Sequence, residues 1–294
     1  MTSMKVISQP TAVRQGASLE EISEGAITII GVPADPCPAH RSSTALGPNA
    51  LREALDDVLN VFVSSQTGAV EDVDTGTAFK LNPATPILDI GDLAPPFSID
   101  AVKHVFGLIE SPRALPLMLG GSRDLARACV AAVAGLDADI ACVHLSPKIL
   151  PGDLAKGVNT CFLGTHGLVS QDVWDDAIAA NSTIVCAGEI HETGIETAVQ
   201  SLREFLRNQK SVLWHIDAAV IDSGHAAGTP DLNVGGLSPE QLLTILDAVV
   251  EHSRVVGCVV TNVAPVFDKR GLSEFVAAEA LRRVLSSRLI SSVT

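Results

Sequence analysis

Residues 211–241 read SVLWHIDAAVIDSGHAAGTPDLNVGGLSPEQ, and their character changes abruptly at the seventh position. Val212, Leu213, Trp214 and Ile216 are β-formers in a run broken only by His215, which predicts a strand buried on both faces. The run ends in an acid, Asp217, and a polar, Gly-rich loop follows. Gly235-Gly236-Leu237 then lead into Ser238-Pro239-Glu240-Gln241, a helix start in which Ser238 caps, Gln241 reaches back and Pro239 needs no N–H partner. Strand, acid, long loop and helix follow in that order. In α/β sheets ligands bind outside the carboxyl ends of strands, so Asp217 marks the expected functional end.

Working outward, the same alternation recurs. Strands are predicted at Ala26 to Gly31, around Val61 to Val63, and at Ile87 to Ile90, Leu115 to Leu119, Asp139 to Leu145, Cys161 to Gly164, Thr183 to Cys186 and Val255 to Val263. Helices are predicted from Asn49 to Leu59, from Ser98 to Glu110, over Asp124 to Ala134 and over Gln171 to Ala180. A further helix opens at a Thr193–Glu196 capping box, and a last one is capped by Ser273. Ser64 to Asn82 reads as a loop and residues 1–25 as a loose arm. Alternating β and α elements imply one domain over residues 1–294. That is the pattern of a parallel sheet covered on both faces.

Composition agrees. Hydrophobic residues make up 47% of the chain, yet aromatics are 3% and Tyr is absent, so the core must be Ala, Val, Leu and Ile. The longest apolar runs, such as Cys129 to Leu136, fall far short of a membrane span. The opening MTSMKVISQPTAVRQG lacks the apolar core of a secretory leader, so a cytoplasmic location is expected. A net charge of −14 argues against nucleic acid and against anionic membrane surfaces. Cys37, Cys129, Cys142, Cys161, Cys186 and Cys258 stand singly, without zinc-ligand or CxxC spacing, and read as small buried apolar residues.

The frame of IDAAVIDSGHAAGTPDLNVGGLS resembles the signature of the arginase–agmatinase–formiminoglutamase (ureohydrolase) family, whose strand reads Ser-x-Asp-x-Asp-x-x-Asp-Pro before a Pro-Gly-Thr loop and Gly-Gly-Leu-Ser/Thr. Gly31-Val32-Pro33, Leu46-Gly47-Pro48 with Leu51 to Ala54, Leu88 to Asp92, and Val256-Gly257 with Pro265 and Asp268 are similar to other family segments. The resemblance spans about Gly31 to Leu285 and implies the arginase-like fold, a three-layer α/β/α domain with a mainly parallel sheet of about eight strands, which the alternation permits. It also implies two manganese ions held by four carboxylates and two histidines, because a bridging water must be deprotonated near neutral pH.

On those positions this chain departs. The family's Gly-Gly-Asp-His falls on Gly120-Gly121-Ser122-Arg123, so a histidine ligand becomes Arg123. Its His-x-Asp-Ala-His-x-Asp falls on residues 144–150, where three ligands become Ser146, Lys148 and Leu150. Asp217 stays, and its partner acid becomes Ala219. The substrate-facing glutamate becomes Asn262, and only Pro151 to Thr160 remains of the substrate loop. His166 stands where many members have an arginine, and Asp222 matches a structural aspartate.

Five of six ligands replaced, two by cations, imply no bound metal and no cofactor. The expectation is a pseudoenzyme: a partner or regulatory subunit, or a binding module, self-associating as a trimer or hexamer and pairing with a catalytic paralogue. The alternative is a divergent hydrolase cleaving a C–N bond of a guanidino or amide compound. The vestigial pocket is expected to hold Arg123, Ser146, Lys148, Asp217 and Asn262 as a charge cluster, with a nitrogen of Lys148 or Arg123 on Asp217 and Asp124, Asp222 or Asp268 adding charge; the alternative is that Lys148 and Arg123 reach water from an open cleft. Ser146 and Lys148, two apart on a strand, share a face and allow a nucleophile–base pair. Ser122 and Arg123 allow a phosphate at a helix start. His144 and His215 on apolar strands read as ligands or as satisfied core histidines.

Overall fold

Among the residues that the computed structural model describes, nine strands form one parallel sheet, in the order β1-β5-β2-β6-β11-β10-β7-β8-β9. The structure describes residues 13–35, 41–73, 76–94, 97–110, 114–135, 139–249 and 254–292. Its strands are β1 (Val13–Gln15), β2 (Ile27–Val32), β5 (Ile87–Asp92), β6 (Leu115–Gly120), β7 (Ile140–Leu145), β8 (Asn159–Thr165), β9 (Thr183–Cys186), β10 (Ser211–Asp217) and β11 (Val255–Thr261). β2, β6, β7, β10 and β11 are buried at every position, as parallel strands roofed on both faces must be.

One helical layer packs on Ile29, Leu117, Trp214 and Val260. It consists of α1 (Gly47–Ser64), α5 (Ala187–Thr193), α6 (Ile195–Arg207), α7 (Pro239–Val249) and α8 (Leu272–Val284). The opposite face, with Ile30, Met118, Cys142, Leu213 and Val259, is covered by α2 (Ile99–Glu110) and α3 (Asp124–Val133). α4 (Gln171–Ala179) sits over Phe162. These are the three layers expected. No helix among the described residues is long and apolar enough to cross a membrane.

Several local expectations are corrected. The strand expected at Val61 to Val63 is the last turn of α1, because Leu55, Val58, Leu59 and Phe62 continue one buried stripe whose packing outweighs β propensity. The loop expected over Ser64 to Asn82 holds a hairpin, β3 (Ala69–Asp72) and β4 (Thr77–Leu81). Antiparallel pairing of β4 with β12 (Ile290–Ser292) completes a small second sheet. The arm is not loose throughout: β1 pairs with β5, Val13 is buried, and Ala17 N donates to Asp89 O. Residues 1–12 of that arm, and Cys37, lie outside the described residues.

The capping box at Thr193 is not formed, since Thr193 ends α5 and its hydroxyl donates to Glu189 O within that helix. Ser273 lies one residue inside α8, and its hydroxyl donates to Asp268 and accepts from Gly228 N. At α7 the box forms as read: Ser238 N donates to Gln241 Oε1 at 2.9 Å, and Gln241 N to Ser238 Oγ at 3.1 Å.

Candidate functional site

The carboxyl ends of β6, β11, β10 and β7 converge on a pocket of about 280 Å³. Ser122, Arg123, Asp124, Lys148, Asp217 and Asn262 line it, together with Pro147, Leu150, Ala219, Pro230 and Asp231. Asp217, the last residue of β10, is at its floor and 1% exposed. Its Oδ1 accepts from Ala219 N at 2.9 Å and Asn262 Nδ2 at 3.0 Å, and its Oδ2 from Ser146 Oγ and Arg123 Nη1, each at 3.3 Å. Burial pushes the Asp217 carboxyl above its usual range, against the pull of Arg123 and these donors.

Arg123 enters where β6 turns into α3. The turn is Gly120-Gly121-Ser122, and Gly121 is obligatory: a Cβ there would lie 1.9 Å from Ala34 O. Its guanidinium is a buried hub. Besides Asp217, Nη2 donates at 2.6 Å both to Asp153 Oδ2 and to the Lys148 carbonyl. Asp153 is fully buried and also accepts from Leu150 N at 2.8 Å. Arg123 Nε and Asp153 Oδ1 have no partner, and these are the two atoms that a bidentate Arg–carboxylate fork would join.

Asn262 follows β11 with φ +64°, a conformation few non-glycine residues adopt. Two bonds hold it: its N donates to Gly121 O at 2.8 Å, and its amide donates to Asp217.

Lys148 does not join this cluster, contrary to the sequence reading. Pro147 lies beyond the end of β7, so Ser146 and Lys148 do not share a strand face. Lys148 Nζ instead reaches Asp231 at 3.2 Å, with both side chains about half exposed. Ser146 Oγ is buried and bonded to Asp217 and the Lys148 carbonyl, so no lysine amine stands by it as a base. Ser122 and Asp124 cap one another, Asp124 N donating to Ser122 Oγ at 3.2 Å, and Asp124 pairs with Arg127 at 2.7 Å.

The other predicted residues lie apart from the pocket. Asp222 pins its own loop by accepting from Gly224 N and Gly235 N, at 2.7 and 2.6 Å. Asp268 accepts from Ser273 N and Oγ, and His166 Nε2 bonds Asn233 Oδ1. Neither adds charge to Asp217. His144 and His215 form a buried chain: their Nδ1 atoms are 2.8 Å apart, and His215 Nε2 is 2.8 Å from Thr261 Oγ1. Burial lowers the pKa of His144 to about 4 and that of His215 well below its ordinary value, so both are neutral core groups.

Sequence reasoning missed Asp153 and Asp231. Asp153 sits in a Pro-Gly-Asp turn that reads as an ordinary surface loop, and Asp231 in Pro-Asp likewise. Of the positions that match metal ligands in the ureohydrolase pattern, Leu150 and Ala219 offer no donor atom and Lys148 turns away. Arg123 places a fixed cation against the remaining acid.

Proclavaminate amidinohydrolase of Streptomyces clavuligerus is 27% identical over 282 residues, covering 86% of this chain and 85% of the relative. Formimidoylglutamase of Bacillus subtilis is 21% identical over 292 residues, covering 90% of this chain and 87% of the relative. The crystal structure of that formimidoylglutamase superimposes with a TM-score of 0.77 at 20% identity, covering 97% of this chain and 93% of that one. The model described as the Arginase family matches residues 25–146 and 148–286, and this chain belongs to the arginase family.

Proposed function

We propose that this chain is a non-catalytic member of its family, one that uses the pocket over Asp217 to bind rather than to hydrolyse. One observation carries the reading: the Arg123 guanidinium lies on Asp217 at 3.3 Å and on Asp153 at 2.6 Å. A permanent cation there repels a divalent ion, and two such ions require about four carboxylates. Asp217 is the sole acid on the six ligand positions, so the residues present do not fit a dimanganese centre. Ser146, the hydroxyl bonded to Asp217, is fully buried and is not among the residues that line the pocket, and the two core histidines bond each other rather than it. The chain then acts as a partner or regulatory subunit of a catalytic relative, or as a binding module.

The test has two arms. Elemental analysis after incubation with Mn²⁺ is expected to find no stoichiometric metal, and excess Mn²⁺ is expected to leave the melting temperature unchanged. A metal bound at a hundredfold excess over its Kd would instead add about 2.7 kcal/mol. Two retained ions per chain would overturn the reading.

The relatives' names favour a second reading, since proclavaminate amidinohydrolase, formimidoylglutamase and agmatinase are all hydrolases. On that reading the chain cleaves a C–N bond of a guanidino or amide compound. Release of urea, formamide or ammonia from a panel of such compounds, above a no-enzyme control and abolished by Asp217→Asn, would establish it.

A further inference from the structure

A second crevice, of about 270 Å³, lies on the other side of the β6–α3 turn. Val32, Ala34, Phe97, Val102, Leu125 and Ala128 form its apolar wall, and Ser122 and Asp124 separate it from the pocket over Asp217. Topology explains why both exist. α1, which follows β2, and α8, which follows β11, lie on one face of the sheet, whereas α3, which follows the strand between them, β6, lies on the other. Chain paths therefore diverge on both sides of β6, and each divergence opens a crevice at the carboxyl end of a parallel sheet. One is the polar pocket. The other is used by nothing described so far.

We propose that the β2–β6 crevice is a second small-molecule site that takes an uncharged aryl or branched-alkyl group. Its polar lining is already engaged within the protein. Asp35 Oδ1 accepts from Thr44 Oγ1 at 2.9 Å and from Ala45 N at 3.1 Å. Ser98 Oγ accepts from Ala101 N at 3.1 Å, the cap of α2, and Ser122 is tied to Asp124. The Asp124 carboxylate is in turn matched by Arg127. What remains for a ligand is hydrocarbon, Phe97 included, rimmed by the exposed Asp35 and Asp124 carboxylates. The two carboxylates, Asp35 and Asp124, repel an anion. Size is sufficient, since an apolar cavity of ~150 Å³ accommodates benzene in another protein. The site does not depend on whether the neighbouring pocket binds or cleaves.

The experiment is a titration of the full chain, methyl-labelled at Ala, Ile, Leu and Val, with benzyl alcohol and isoamyl alcohol as uncharged probes. Benzoate and benzylammonium serve as charged counterparts. Saturable shifts are expected at the methyls of Val32, Val102, Leu125 and Ala128 with the alcohols, with benzoate at least tenfold weaker. Ala34→Leu, at a half-buried position, fills the crevice and is expected to weaken benzyl alcohol at least tenfold. Phe97→Ala, which removes the ring without adding bulk, is expected to weaken it severalfold. Shifts centred elsewhere, an affinity indifferent to both substitutions in folded protein, or a charged probe binding tenfold tighter than the alcohols would each overturn the proposal.

Discussion

Arg123 has two buried carboxylates to neutralise, and removing it would leave Asp217 and Asp153 uncompensated. Arg123→Met is therefore expected to destabilise the chain by roughly 3–5 kcal/mol in urea denaturation. Asp217→Asn alone should cost less, because Asp153 still holds the guanidinium. Adding Asp217→Asn to Arg123→Met should recover part of the loss, and strictly additive effects would contradict the pairing. The histidine pair predicts the response to acid. His144 falls from 6.5 to about 4 on burial and His215 also falls, so their contribution is complete above pH 6.5 and is lost as pH drops toward 4. Each contributes a slope of up to about 1.4 kcal/mol per pH unit in that window. His144→Gln with His215→Gln should flatten the denaturation midpoint between pH 6.5 and 5; an unchanged slope would assign the acid response elsewhere. At this scale Asp217, Arg123 and Asn262 were legible because motif positions pointed to them. Asp153 was not, since a turn aspartate becomes a buried counter-ion only when a distant strand end supplies the cation. Lys148 was misread because Pro147 takes it off the strand.

The start of α7 is the element most fully written in its own residues. Ser238 and Gln241 exchange two bonds, so Ser238→Ala should cost about 1 kcal/mol in thermal or urea unfolding. A change under a few tenths would show that the cap is not held in solution. Elements failed to be legible where a partner far along the chain decides them. β4, whose five residues read TAFKL, is partly exposed, and it becomes a strand by pairing with β3 and with β12, some 210 residues later. Ser273 looked like a cap, but Gly228 N and Asp268 compete for its hydroxyl, and Gly271 with φ +68° begins the helix instead. Phe62 shows the same rule from the other side, since burial in the α1 stripe decides its conformation.

For the whole molecule, alternation and burial pattern were enough to reach a parallel sheet in three layers. They could not give the strand order, because every central strand is buried throughout and any of them could sit beside any other. Self-association is the expectation that belongs at this scale. Leu272 and Phe275, at the beginning of α8, are 42% and 45% exposed, and Val266, in the turn before that helix, is 61% exposed, so apolar side chains lie open on the surface of a single chain. Light scattering at micromolar concentration is expected to give a multiple of 30.6 kDa corresponding to a trimer or hexamer. A clean monomer would contradict it, and Phe275→Glu should shift the distribution toward monomer if that surface is the one covered.

The strand order also sets a schedule. β6 and β7 are successive strands in the chain, yet in the sheet β11 and β10 lie between them. Until residues 211–261 exist, the strands between Val13 and Cys186 can make only two separate pieces of this sheet, each with a bare edge facing the gap. During synthesis those edges are the surfaces most open to mispairing and most in need of a chaperone. β10 and β11, the last strands of that sheet to be made, join the two pieces and, with Asp217 and Asn262 at their ends, bring the floor of the pocket into being only when the sheet itself is complete.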